Sequence, residues 1–236
     1  MEREKIKKRL AKYYSGEKAR EYDHQRSKDI RDRDILDRET EIVEKFLSHS
    51  KEGKILDIAC GTGRIFPFYR KREIFGVDIS KDMLKIAKKK NPESHLKIGD
   101  AENLPFRSDS FPVVITSRFI CHTPEYIKVI KEMTRVTKKG GSLIIDFPNK
   151  HSLSFFTTQF RILKGKTKYY SFFTYSDIKK IAKENNLEIA EIEGKAVISA
   201  KIFPKKMHRF IKILNNLFVI IFRRLSYPLY VRFIKK

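Results

Sequence analysis

Apolar positions along this chain follow two periods. Short aliphatic runs recur between stretches of helical spacing, which is how strands and crossover helices of a parallel sheet read. The runs Lys54–Ala59, Glu73–Asp78, His95–Gly99, Pro112–Ser117 and Ser142–Phe147 are expected to be the first five strands. Between them, Ser80 is a good N-cap for a helix over Lys81–Lys90, with Asp82 in its first turn and Asn91-Pro92 as its stop. Pro124 suits the opening of a helix that runs to about Val136. Ser176 is read as the cap of a helix to Asn186, whose Asn185-Asn186 end suits a left-handed stop. Leu187–Glu193 and Ala196–Ile202 are expected to be the last strands, a hairpin around Gly194. The pattern predicts an α/β doubly wound sandwich with a mainly parallel, seven-stranded sheet closed by an antiparallel edge strand.

Three stretches lie outside this alternation. Residues 1–50 read as a helical cap, in which Ile35, Leu36, Ile42, Val43, Phe46 and Leu47 form an apolar stripe. Residues 149–175 are an aromatic-rich insertion holding Phe155, Phe156, Phe160, Tyr169, Tyr170, Phe172 and Phe173. Residues 203–236 form a basic amphipathic tail, leaving 51–202 as the core domain. The tail's longest apolar run, Leu217–Phe222, is far below the ~20 residues that span a bilayer.

The chemistry gathers where strands end. After Lys54–Ala59, Gly61 and Gly63 allow a sharp turn and close approach of backbone to a ligand. Residues Arg64 to Arg70 are expected to start a helix whose free N–H groups face the same spot. Alone, this is equally a tight turn with glycines for geometry. Glu73–Asp78 then ends in an acid about 20 residues after Asp57, where a carboxylate can accept both hydroxyls of a ribose. Asp100 ends the third run, beside the same cleft. A dinucleotide-binding dehydrogenase is disfavoured, because Phe66 occupies the place of the third glycine that its fingerprint requires.

The segments ILDIACGTGR, FGVDIS and GDAENLPF together resemble the first three motifs of class I S-adenosylmethionine-dependent methyltransferases of the small-molecule type. The resemblance continues through DSFPVVITSRFICHTPE and EMTRVTKKGGSLIIDFPN and spans roughly residues 35–200. It implies a Rossmann-like sheet of order 3-2-1-4-5-7-6 with helical N- and C-terminal additions, and S-adenosylmethionine as cofactor. By it, Asp57, Ala59, Gly61 and Gly63 line the methionine and ribose end. Asp78 holds the ribose, Ile79 and Met83 flank the adenine, and Asp100 with Ala101 faces its edge. Ala59 departs from the glycine common there, a mild change of one methyl group. Tyr14, Tyr22 and Arg26 are the candidates for an N-terminal segment lying over the cofactor; the alternative is solvated helix.

The end of the fourth strand faces the transferable methyl group in this fold, so Ser117, Arg118, Phe119 and His122 are expected to meet the acceptor. His122 is a candidate general base and Arg118 a candidate catalytic residue, although methyl transfer often needs only alignment. A buried or capping role is the alternative for His122. The Asn/Asp-Pro-Pro-aromatic motif of base-amine methylation is missing. No metal-ligand cluster is evident.

A net charge of +23 changes the picture of partners, because it calls for something anionic. Lys195 to Lys236 contains no acidic residue. Residues 203–236 therefore suit an anionic membrane surface, with a small hydrophobic or lipid-like acceptor, or packing on the domain or in a homodimer. RNA methylation and a non-catalytic binding module are the rival readings. Two cysteines, Cys60 and Cys121, give no disulfide framework and fit the cytoplasm, with peripheral association on the inner face of the membrane.

Overall fold

Strand β1 (Ile55–Ile58) sits mid-sheet, paired in parallel with β2 (Ile74–Asp78) on one side and β4 (Phe111–Thr116) on the other. This computed structural model describes residues 12–27, 30–69, 71–163, 170–196 and 204–236. Strand β3 (His95–Ile98) extends the parallel set beyond β2, and β5 (Thr137–Phe147) extends it beyond β4. The sheet is completed by β6 (Leu187–Gly194) and β7 (Leu229–Lys235), in the order β3-β2-β1-β4-β5-β7-β6. The predicted strand order is therefore the observed one.

Among the described residues the sheet has seven strands, but the last is not the one expected. Strand β7 comes from the tail and runs antiparallel to both β5 and β6, one place in from the edge. Ala196 is outside any strand and 197–202 lie outside the described residues, so the expected hairpin around Gly194 is not seen. The physical reason is burial. Leu229, Tyr230, Val231 and Phe233 are at most 1% exposed, so two faces of the sheet need this segment between β5 and β6.

The sheet is covered on both sides, as parallel strands require. Along the strands, neighbouring residues alternate between two cores. Leu56, Ile58, Val114, Leu143 and Ile145 meet one set of helices. That set is α4 (Tyr126–Val136) and α6 (Tyr175–Glu184), which insert Ile130 and Met133, and Ile178 and Ile181. On the other face, Ile55, Val113, Ile115 and Ile144 pack against α2 (Ile30–Ser48). The expected stripe seats Ile42, Val43, Phe46 and Leu47 there, each worth about 1.5–3 kcal/mol in buried area. Two further helices, α1 (Gly16–Ser27) and α3 (Lys81–Lys90), meet above the β2 end of the sheet.

Local side-chain chemistry sets the helix ends. The Ser80 side chain caps α3 by accepting from the Met83 N–H. Helix α6 is capped by Thr174 rather than Ser176, because Thr174 and Asp177 form a reciprocal capping box. Its far end stops as expected, with Asn186 at φ +52°. No α-helix follows Gly63. Phe66–Phe68 forms only a 3₁₀ turn, since Pro67 lacks an N–H and disfavours helical backbone at Phe66. The insertion contributes α5 (Leu153–Leu163), while Tyr169 lies outside the described residues. In the tail, α7 (His208–Ile221) precedes β7.

Candidate active site

A cavity opens at the carboxyl ends of β1, β2, β3 and β4. Its wall holds Asp57, Ala59 and Gly61 from the β1 turn, and Asp78, Ile79 and Met83 from the β2–α3 junction. Asp100 and Ala101 follow β3, Ser117, Arg118 and His122 follow β4, and Tyr14 and Tyr22 close over from the N-terminal segment. These are sequence-predicted residues brought together from five places in the chain.

Arg26 and Gly63 are not part of the wall. Arg26 is exposed and lies over the Tyr22 ring, 4.8 Å from its centre. Gly63 is buried at φ +65°, and a Cβ there would meet Phe66 Cδ2 at 2.8 Å, so its glycine serves the turn's packing. Gly61 is different. It also needs a left-handed backbone, φ +56°, but a Cβ on it would meet nothing within 4 Å. Ala59 shares this left-handed conformation at φ +56°, so its methyl group is not the mild change expected.

Two carboxylates organise the part of the cavity at the ends of β1 and β2. Asp78 Oδ2 accepts the Gly61 N–H at 2.9 Å and Oδ1 accepts the Ser80 N–H at 2.8 Å, locking the β1 turn to the end of β2. Burial raises its pKa, against the pull of those backbone donors. Asp57 is fully buried under the turn; burial pushes its pKa up to about 7, although the Tyr69 hydroxyl donates to it. Burial also raises the Cys60 thiol well above its ordinary range, so the cysteine in this turn is held as a neutral thiol.

The N-terminal segment is fastened over the cavity. The Ser80 hydroxyl donates to Tyr14 O at 2.6 Å, the Gly16 N–H to Asp82 Oδ2 at 2.9 Å, and the Thr62 hydroxyl to Asp23 Oδ1 at 2.7 Å. Lys90 pairs with the same Asp23. Asp23 and Thr62 carried no signal beyond belonging to a charged helix and a glycine turn.

Ser117 and Arg118 in the cavity wall are backed by a buried polar cluster whose other members, Glu39, Asp146 and Lys195, sequence reasoning missed. Arg118 has φ +57°, and its N–H donates to Asp146 Oδ1 at 2.6 Å. Glu39 of α2, 0% exposed, accepts from Lys195 Nζ at 2.8 Å and from the Ser117 hydroxyl, with Arg118 Nε 3.7 Å away. Burial alone would raise the Glu39 pKa, but Lys195 and Arg118 outweigh it and hold it at about 2. Burial lowers Lys195 below an ordinary lysine, and pushes Asp146 up to about 6. One signal for Glu39 existed: it stands in the apolar stripe of α2, on the face of Val43 and Phe46.

The residues present fit the cofactor that the resemblance implies. Open space faces Gly61, the buried carboxylate of Asp57 and the half-buried one of Asp78 offer acceptors to hydroxyls or a positive centre, and Ile79 offers a 37% exposed apolar surface beside them. Arg64, also in the wall, has Nε and Nη2 buried with no hydrogen-bond partner, which suits a carboxylate. His122 packs edge-on against Tyr170, with ring centres 5.1 Å apart. Among the described residues no cluster could hold a metal ion.

Comparison with known proteins agrees with this geometry. A family model described as a methyltransferase domain matches residues 56–145. The demethylmenaquinone methyltransferase of Staphylococcus saprophyticus is 34% identical over 110 residues, which cover 43% of this chain and 47% of that protein. The phosphatidylethanolamine N-methyltransferase of Cereibacter sphaeroides is 33% identical over 104 residues, covering 41% of this chain and 51% of that protein. The chain spans about half the length of these curated relatives. Among solved structures, magnesium protoporphyrin IX methyltransferase from Synechocystis PCC 6803, with bound SAH, shares the fold at 17% identity. Its TM-score is 0.67, with 98% of this chain and 100% of that one covered. Residues 56–145, which carry most of β1 to β5 and the cavity at their strand ends, thus match a methyltransferase domain, and the whole sheet shares its fold with a solved methyltransferase.

Proposed function

We propose that the protein transfers a methyl group from S-adenosylmethionine to a small, hydrophobic or lipid-like acceptor. The observation that carries this reading is one cavity with Asp57, Gly61 and Asp78 under one part of its wall and Ser117, Arg118 and His122 under the adjoining part. The names of the relatives, which cite demethylmenaquinone and phosphatidylethanolamine, support an acceptor of that class. So do the aromatic side chains of the insertion, with Tyr170 against His122. We also assign the acceptor to an anionic membrane surface rather than to RNA, from the acid-free basic tail.

When bound, the cofactor supplies an electrophilic methyl group on a sulfonium sulfur. Asp78 would accept from the ribose hydroxyls, while its bonds to the Gly61 and Ser80 N–H groups keep the carboxylate oriented. Ionised Asp57 would face the positively charged end of the cofactor, and Arg64 would hold its carboxylate. Tyr14 and Tyr22 cover the site and exclude water, which strengthens each of these contacts. Arg118, pinned by Asp146 and Glu39, borders the acceptor. Alignment of the acceptor does most of the work, and His122 in the same wall is the general-base candidate for a proton released from it.

The test is incubation with methyl-labelled S-adenosylmethionine and an extract of source cells, split into organic, RNA and aqueous fractions. Label in the organic fraction, lost in Asp78→Asn at limiting cofactor, is expected. Label confined to RNA would overturn the acceptor class, and no label in any fraction would overturn the activity.

A further inference from the structure

Nine of the thirteen large hydrophobic residues exposed among the described residues belong to just two places, α5 and the stretch from α7 to Leu225. On α5, Phe156, Phe160 and Leu163 follow one another at i, i+4 and i+7, so they share one face, and they are 57–84% exposed. On α7, Phe210, Ile213, Leu217 and Ile221 make a second stripe, 54–68% exposed, while Ile211 turns inward at 2%. The loop that leads into α5 is tied to the turn that follows α7, because Asn149 Nδ2 donates to Arg224 O at 2.7 Å and to Ser226 O at 3.0 Å. Tyr227, just beyond, hydrogen-bonds through its hydroxyl to Tyr170, which packs on His122 in the cavity wall. The segments that flank the exposed stripes are therefore connected to each other by two hydrogen bonds, and to His122 in the cavity wall through Tyr227 and Tyr170.

We infer that α5 and α7 together form a docking face for a bilayer rich in anionic lipid, set beside the mouth through which the acceptor reaches the cavity. Charge decides the occupant. Exposed Lys206, Arg209, Lys212 and Arg224 accompany the apolar stripe, and no acid occurs from Lys195 to Lys236. A basic helix with an aliphatic and aromatic face is what settles into the headgroup boundary, with its cations at the anionic surface. A second copy of the chain would bring one basic rim against another, each on a protein of net charge +23. A phosphate backbone would use the cations but leave Ile213, Leu217 and Ile221 without apolar contact. With 14 residues, α7 is shorter than the ~20 that span a bilayer, and the docking face is therefore one that lies along the surface. The inference rests on the proposed methyl transfer only for what the docking is for; attachment itself needs no turnover.

The test is sedimentation of the full chain with vesicles of phosphatidylcholine alone and with about 30% phosphatidylglycerol. Partitioning at least tenfold stronger onto the anionic vesicles is expected, weakened by 0.5 M salt. Leu217→Glu with Ile213→Glu should lose at least tenfold, while keeping wild-type binding of S-adenosylhomocysteine and melting behaviour. Lys206→Gln with Arg209→Gln should lose the preference for anionic lipid while leaving the fold intact. Equal partitioning onto both vesicles, attachment only to an RNA homopolymer, or a dimer in sedimentation equilibrium that these substitutions dissociate without any vesicle binding would each overturn the inference. Loss of methyl transfer with intact vesicle binding would count against the activity and not against the docking face.

Discussion

Replacing Lys195 by Met tests whether the buried cluster is built as an ion pair. Lys195 Nζ reaches Glu39 at 2.8 Å, and both side chains are at most 5% exposed. Removing one partner of such a pair strands the other charge at a cost of about 3–5 kcal/mol. Arg118 remains at 3.7 Å and the Ser117 hydroxyl still donates to Glu39, which puts the expected loss near the lower end, about 3 kcal/mol. In a chain of this size that lowers the melting temperature by roughly 6–12 °C. Glu39→Gln combined with Lys195→Met removes both charges and should recover most of the loss, because the amide can still accept from Ser117. Acid titration gives the same interaction a sign. Glu39 is held at about 2 against an ordinary 4.5, so its contribution is complete above pH 4.5 and is lost as pH falls toward 2. That gap corresponds to about 3 kcal/mol. Urea unfolding of the four proteins of the cycle, at pH 7 and pH 3, measures all of this. A cost below about 1 kcal/mol for Lys195→Met, or a double variant as unstable as the single, would refute the reasoning.

The cofactor end makes further predictions. Asp78→Asn removes a charge that orients hydroxyl donors and should weaken S-adenosylhomocysteine by at least about tenfold, at 1.5–3 kcal/mol per charged hydrogen bond, read by calorimetry. Asp57 has the opposite sign to Glu39: its folded pKa is raised to about 7, so its stabilisation of the free protein is present below pH 3.8 and lost as pH rises through 7. Binding of the positively charged cofactor should therefore strengthen from pH 6 to pH 8 and release protons, and Tyr69→Phe should move that midpoint upward; a flat profile would count against it. Ala59→Gly should relieve left-handed strain and raise unfolding free energy by up to about 1 kcal/mol, less the glycine's entropy in the unfolded chain. Arg64→Met should weaken S-adenosylhomocysteine but leave decarboxylated analogues unaffected, since only the former offers its guanidinium a carboxylate.

What the sequence alone determined is what short-range pattern can encode. Strands β1 to β5, the Ser80 cap, the Asn186 stop and the acids at three strand ends lie within stretches of a few residues each. Their periodicity and their turn chemistry act before any distant contact forms, so Asp57, Gly61, Asp78 and Asp100 could be assembled on paper. The tertiary structure decided whatever depends on a partner far along the chain. Strand β7 looked like the end of a basic tail until the gap between β5 and β6 claimed its buried face. Thr174 displaced Ser176 as a cap because Asp177 answered it, and Pro67 cut short a helix that the glycine turn invited. Glu39 and Lys195 stand 156 residues apart, each an ordinary charge in a chain rich in them. Nothing local distinguishes such residues, because the energy that pairs them comes from the low-dielectric interior in which the finished fold encloses both.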